Sequence, residues 1–198
     1  MPRTPETLVL ASTSRYRRSL LERLGLPFAV DSPGTDETAR PGESPATLAA
    51  RLALAKARAV APRHPLAHVI GSDQVASLEG SLLGKPGSPA RACEQLARAS
   101  GRSVEFLTAV VLLGPDGSEH AHLDLTRVRF RTLTDAEIAR YVELDKPLDC
   151  AGSFRSEGLG IALFEAVETR DPTALVGLPL VWLAAALRRA GLDPLGRA

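Results

Sequence analysis

An unbroken apolar run from Leu8 to Ala11 is followed by small hydroxyls and then by an apolar periodicity at Leu20, Leu21 and Leu24. A short continuous apolar run reads as a buried strand, and Ser12 and Ser14 are turn and helix-capping residues, so the pattern predicts strand, turn, helix. Residues 26–30 have the length of a second short strand, whereas 31–43, with Pro33, Gly34, Pro41 and Gly42, form a loop. Ser44-Pro45 starts a helix whose apolar face, Leu48, Leu52, Ala55 and Ala59, runs to about Val60. A further apolar run at 68–70 ends in Gly71-Ser72-Asp73-Gln74-Val75, Glu79-Gly80 is a tight turn, and Ser88-Pro89 opens a helix to about Ala99. The stretches 104–113 and 120–131 flank Gly114-Pro115-Asp116-Gly117, a hairpin by its turn residues. Leu123 and Leu125 share one parity and Val128 and Phe130 the other, which predicts a bulge near Thr126. Thr134-Asp135-Ala136-Glu137 is a capping box for a helix to about Glu143. A glycine-rich loop covers 150–160, an apolar strand 161–164, and a last helix 180–190, stopped by Gly191 with Pro194 beyond.

At 198 residues the chain is long enough to bury a full core, as one domain or as a two-lobed one. The net charge of +1 and an aromatic content of 4% argue against nucleic-acid and membrane partners. Met1 to Glu6 is polar and carries no signal-peptide pattern, and no later stretch has the length and apolarity of a bilayer span, so a cytoplasmic protein is expected. Cys93 and Cys150, far apart and without CxxC or Cys/His spacing, read as reduced thiols, buried or at an interface.

Of 24 basic residues only Lys56, Lys85 and Lys146 are lysine, which suggests that a compact ammonium is kept where an arginine fork would not serve. Lys56 follows Leu52 by four residues and so lies beside the buried stripe, aimed into a cleft or snorkelling past it. Lys85, between Gly84 and Pro86, sits in a loop able to hold an ammonium against a phosphate. The helix start after Ser14, with Arg15, Arg17 and Arg18, is suited to an anion, although an ordinary strand–helix junction with solvated arginines gives the same pattern. Asp36-Glu37 is either a solvated pair or a source of metal ligands. Asp73, where an apolar run ends, is either a catalytic acid at a strand's carboxyl end or the start of an Asx-turn. His120 and His122 are assigned no role.

In order, Ser-Thr-Ser-Arg-Tyr-Arg-Arg, Asp-Glu-Thr, Leu-Ala-Leu-Ala-Lys-Ala, Gly-Ser-Asp-Gln, Gly-Lys-Pro, Cys-Ala-Gly-Ser-Phe-Arg-Ser-Glu-Gly and Val-Gly-Leu-Pro-Leu resemble the motifs of the Maf family of nucleoside triphosphate pyrophosphatases. The resemblance implies an α/β fold of the Maf and inosine-triphosphatase type, a long mixed twisted sheet flanked by helices around a central cleft. It implies one domain over 1–198, two-lobed around that cleft, a homodimer, and hydrolysis between the α and β phosphates with Mg²⁺ or Mn²⁺. Carried over by position, Asp73 matches the proton acceptor, and Glu37 with Asp73 the metal carboxylates. Ser12, Ser14, Arg17, Lys56 and Lys85 match positions around the triphosphate. An ordinary aspartate is a weak base near neutrality, so a metal or a raised pKa would have to assist it.

Within the family, the enzymes preferring 7-methyl-GTP resemble this chain in Tyr16, Gln74 and Glu157, and those preferring dTTP and UTP are the alternative. N7-methylation makes guanine cationic, so a carboxylate such as Glu157 can accept from the guanine edge and favour the charge, while Tyr16 offers a stacking face. Arg15 stands where the family often has proline, and Tyr16 where this group often has tryptophan. From another class comes a non-catalytic, nucleotide-binding regulator of cell division.

Overall fold

The computed structural model describes residues 7–196; Met1 to Glu6, where the absence of a signal pattern was noted, lie outside them. Strands β1 (Leu8–Ala11), β2 (Ala29–Asp31), β3 (His68–Leu78), β4 (Ser81–Leu83), β5 (Ser103–Leu113), β6 (Glu119–Phe130) and β7 (Phe164–Glu168) form one mixed sheet. Its order is β2-β1-β3-β5-β6-β7, with β4 off this path on β3. Helices α1 (Arg15–Glu22), α2 (Pro45–Val60), α3 (Pro89–Ala99), α4 (Asp135–Asp145) and α5 (Leu180–Arg189) flank it. Among the described residues, no helix is long and apolar enough to cross a membrane.

The helix starts follow from side-chain capping. Ser14, Ser44, Ser88 and Thr134 each accept a hydrogen bond from the amide three residues on, and Thr134 with Glu137 completes the expected box. At α5 the preceding Pro179 caps nothing; the first amides, of Leu180 and Val181, instead donate to Thr173 Oγ1 at 2.8 Å and Asp171 Oδ2 at 2.7 Å. Buried Asp171 and Thr173 thus cap the helix from a distance in sequence.

Strand β3 positions the site. It runs parallel to β1 only as far as Gly71, opposite Ala11, and meets β4 only from Ala76. Between them, residues 72–75 keep a partner on the β5 side but none on the other, because the chain after β1 has turned away into α1. Asp73 was expected at a strand end; β3 in fact continues to Leu78, and it is the parallel ladder that ends two residues before Asp73. The gap left in the sheet edge is where the cleft opens.

Two further expectations change. The β5–β6 ladder is continuous from Ser103↔Arg129 to Leu113↔Glu119, with no bulge at Thr126. Asp124, Thr126, Val128 and Phe130 all point inward, and Leu123 and Leu125 are exposed. The parity argument failed because two inward positions are polar: Thr126 Oγ1 lies 2.9 Å from Thr169 Oγ1, so its hydroxyl is satisfied in the interior. The irregularity lies between Arg129 and Phe130, against β7. The run 161–164 is mostly a 3₁₀ turn, Leu159–Leu163, with β7 starting at Phe164, an ambiguity that short apolar runs carry.

Three apolar clusters pack around the sheet: α2 with β1, β3 and β5; α1 and α5 with residues of opposite parity on the same strands; and α3 and α4 with the far ends of β3, β5 and β6. Helix α2 packs closely on the sheet at Gly71, where an added Cβ would run into the Ala53 carbonyl oxygen and lie 2.8 Å from Ala57 N and Cβ. Gly71→Ala is therefore expected to push α2 off β3 and lower stability by about 1–3 kcal/mol, as overpacking does. Urea denaturation reads this directly, and an unchanged midpoint would mean that α2 shifts freely.

Candidate active site

A cleft of about 890 Å³, lined from all three clusters, contains every residue that the family resemblance assigned to the site. At its foot Lys56, 5% exposed, places Nζ 2.6 Å from Asp73 Oδ1 and 2.5 Å from Glu37 Oε1. The pairing follows from the fold. Lys56 lies in the turn of α2 that rests on Gly71, and Asp73 is two residues on along β3 and therefore on the same sheet face. The lysine is held between two carboxylates rather than snorkelling.

Glu37 reaches in from the 32–44 loop, which Arg51 holds by two bonds to Glu43, at 2.6 and 2.8 Å, and one to Thr38 O at 3.0 Å. Arg51 pulls the Glu43 pKa down to about 2. Asp36 is spent on a local turn, accepting from the Thr38 amide and hydroxyl, so of the acidic pair only Glu37 serves the cleft. Burial alone would raise the Glu37 pKa, but Lys56, with Lys85 and Arg17, outweighs it and holds the group below the ordinary glutamate value. Glu37 is thus a carboxylate at neutral pH.

The β1–α1 turn forms another wall. Ser12 Oγ accepts from the Ser14 amide at 3.1 Å and Ser14 Oγ from the Arg17 amide at 3.4 Å, which leaves the amides of Arg15 and Tyr16 without intrahelical acceptors. The three arginines divide: Arg18 pairs with Glu22 along the helix, and Arg15 lies 3.5 Å from Asp149 and over the Tyr16 ring. Only Arg17 turns toward the carboxylates. Its Nε donates to Gly177 O at 2.9 Å, an oxygen that also accepts from Ser72 Oγ at 3.0 Å. Burial lowers the Arg17 pKa, against the opposing charges of Asp73 and Glu37.

The base-reading candidates are placed less uniformly. Gln74 Nε2 faces Thr108 Oγ1 at 3.0 Å, Ala174 O at 2.9 Å and Leu175 O at 3.0 Å, so its amide nitrogen braces the 174–177 turn and only Oε1 remains for a ligand. The Tyr16 hydroxyl accepts from Arg15 Nη2 at 2.7 Å, and the Arg15 guanidinium stands 4.8 Å from the ring centroid, so one stacking face is already covered. Glu157 is exposed at the rim, and Lys85 is exposed in its loop.

The sequence reading missed the frame of the 150–160 loop. Arg155 Nη2 bonds Asp145 through both its carboxylate and, at 2.6 Å, its carbonyl; Tyr141 donates to Asp145 Oδ2 at 2.8 Å and accepts from the Arg155 amide at 3.1 Å. Burial would raise the Asp145 pKa, but Arg155 and Tyr141 together hold it low. Tyr141 and Asp145 are four apart on one helix, a spacing that could have flagged the pair. Cys150 also lines the cleft, a free thiol that burial pushes up to about 12, which makes it a packing group rather than a nucleophile.

Among the described residues no three His, Cys, Asp or Glu side chains converge as a complete metal site. Glu37 and Asp73 nonetheless direct hard oxygens at one cationic point, and Mg²⁺ sites commonly take one or two carboxylates and leave the rest to phosphates and water. The donor set fits an ion that arrives with a phosphorylated ligand.

Residues 7–190 match the family model described as Maf-like protein. A 7-methyl-GTP pyrophosphatase of Xanthomonas axonopodis pv. citri is 59% identical over 193 residues, 98% of this chain and 99% of that protein. One from Bordetella pertussis is 55% identical over 195 residues, 98% of each. A solved structure, a nucleoside-triphosphatase or dITP/XTP pyrophosphatase from Mycobacterium abscessus, aligns over 96% of this chain and 100% of that one at 18% identity and a TM-score of 0.47, too low a likeness to carry an argument about the cleft.

Proposed function

The chain belongs to the Maf-like protein family, and from that membership and the cleft we propose that it hydrolyses 7-methyl-GTP to the nucleoside monophosphate and pyrophosphate. The observation that carries the reading is the convergence of Lys56, Glu37 and Asp73 inside a cleft that also holds Tyr16 and Glu157. Water attacks the α-phosphorus; the new P–O bond forms as the bond to the α,β-bridging oxygen breaks, and that electron pair leaves with pyrophosphate. Asp73 takes the water's proton through Oδ2, its Oδ1 being engaged by Lys56. Lys56, Arg17 and Lys85, with the turn at Ser12 and Ser14, offset the charge that grows on the phosphates. A divalent cation on Glu37 and Asp73, Mg²⁺ or Mn²⁺, would neutralise phosphate charge and polarise the α-phosphorus. Homodimer assembly and action as one domain belong to the same proposal and rest on the family resemblance; a cytoplasmic setting is proposed with them.

The dTTP/UTP alternative is favoured by one observation, the Arg15 guanidinium over the Tyr16 ring, where it competes with a cationic base. Pyrophosphate release with Mg²⁺ or Mn²⁺ across 7-methyl-GTP, GTP, dTTP, UTP and CTP separates the two. Turnover led by 7-methyl-GTP and lost with EDTA is expected, and Glu157→Gln should cost 7-methyl-GTP about tenfold more in kcat/KM than UTP, the scale of one hydrogen bond to a charged group. Equal losses would make Glu157 structural, and turnover led by dTTP or UTP would transfer the cleft to the alternative.

A further inference from the structure

The groups assigned to the two ends of the nucleotide sit on different loops. Lys85, for the triphosphate, lies between β4 and α3, and Glu157, for the base, in the 150–160 loop. The two loops are joined at two points. The Gly87 amide donates to the Leu148 carbonyl, two residues before the second loop, at 3.1 Å. The Gln95 side chain, from α3, makes the second junction: its Nε2 donates to Gly84 O at 3.1 Å, and its Oε1 accepts from Ser153 Oγ at 2.5 Å. The amide orientation is fixed by chemistry, since Gly84 O can only accept and a reversed amide would lose that bond.

Both Gln95 contacts, one to a carbonyl and one to a side-chain hydroxyl, fall on residues whose backbone leads to a site residue. Gly84 O belongs to the planar peptide unit leading into Lys85, so holding that oxygen sets the direction in which the lysine leaves the loop. Ser153 is fully buried and, though not glycine, has φ +63°, a conformation that the surroundings must enforce. After it come Phe154, packed edge-on against Phe106, Phe130 and Phe164, and Arg155, bonded to Asp145. A position fixed at Ser153 is therefore carried through Phe154 and Arg155, both held in place, to within two residues of Glu157.

We propose that Gln95 is a positioning residue that couples the triphosphate loop to the base loop, so that the Lys85 and Glu157 contributions depend on one another. This rests on the pyrophosphatase reading. Gln95 touches no part of the substrate; it acts through Gly84 and Ser153.

The test is a double-mutant cycle of Lys85→Ala and Glu157→Gln, measured as kcat and KM for 7-methyl-GTP, in the unsubstituted protein and in Gln95→Met. With Gln95 present, the combined loss is expected to differ at least fivefold from the product of the single losses; in Gln95→Met the losses should multiply. Gln95→Glu keeps an acceptor for Ser153 but sets a carboxylate oxygen against Gly84 O, so it should also uncouple the pair, and it serves if the methionine variant does not fold. Equal coupling in all backgrounds, or none in the unsubstituted protein, would overturn the inference while leaving the pyrophosphatase reading intact. Absence of pyrophosphate release from every nucleotide by the unsubstituted protein would instead overturn that reading, and this inference with it.

Discussion

Asp73→Asn is expected to lower kcat for pyrophosphate release by about 10²–10⁴-fold, the range that a positioned general base supplies, with the fold retained. The substitution is nearly isosteric, and the amide oxygen can still accept from Lys56, now 2.6 Å from Oδ1. It removes the ability to take a proton from water and one of two negative charges facing that ammonium. The measurement is single-turnover pyrophosphate release at saturating nucleotide, beside nucleotide binding. Loss of turnover with binding kept assigns proton acceptance to Asp73. Retention of more than a tenth of the rate would remove it from that role and leave Glu37 as the remaining carboxylate at the Lys56 ammonium.

What was legible in the chain follows from the kind of signal each feature leaves. The capped helices were placed to within a residue or two because Ser44-Pro45, Ser88-Pro89 and the box at Thr134 satisfy helix-end amides locally. The meeting of Glu37, Lys56 and Asp73 was legible only through the family's motifs, since no local rule links positions separated by a loop, a helix and a strand. The hairpin parity was misread because Asp124 and Thr126 are inward-facing polar residues, and pattern arguments assume that inward means apolar. The roles of Gln74, Gln95 and Arg155 left no sequence signal: each bonds backbone or side chains far along the chain, and contacts of that kind have no period. The arginine cluster after β1 looked like one anion site, yet its members part company, because successive residues on a helix point about 100° apart and Glu22 and Asp149 offer surface partners for two of them.

The second large effect concerns what Lys56 does for the fold, as distinct from the reaction. Lys56→Met keeps the stem that packs in α2 and removes the ammonium, which leaves the Asp73 carboxylate, 6% exposed, without its cation. An uncompensated buried charge costs about 3–5 kcal/mol, so the variant should lose that much stability in urea denaturation, together with its turnover. Glu37 adds little to this loss, because with its side chain 54% exposed water can solvate what Lys56 releases. The double variant Lys56→Met/Asp73→Asn then distinguishes two origins of the loss. When both members of a buried pair are replaced by neutral groups of similar shape, stability is largely restored. The double variant should therefore recover most of the stability lost by Lys56→Met, yet remain without turnover. A double variant as unstable as the single one would mean that the loss does not come from the unpaired Asp73 carboxylate but from the poorer fit of methionine in the lysine's place.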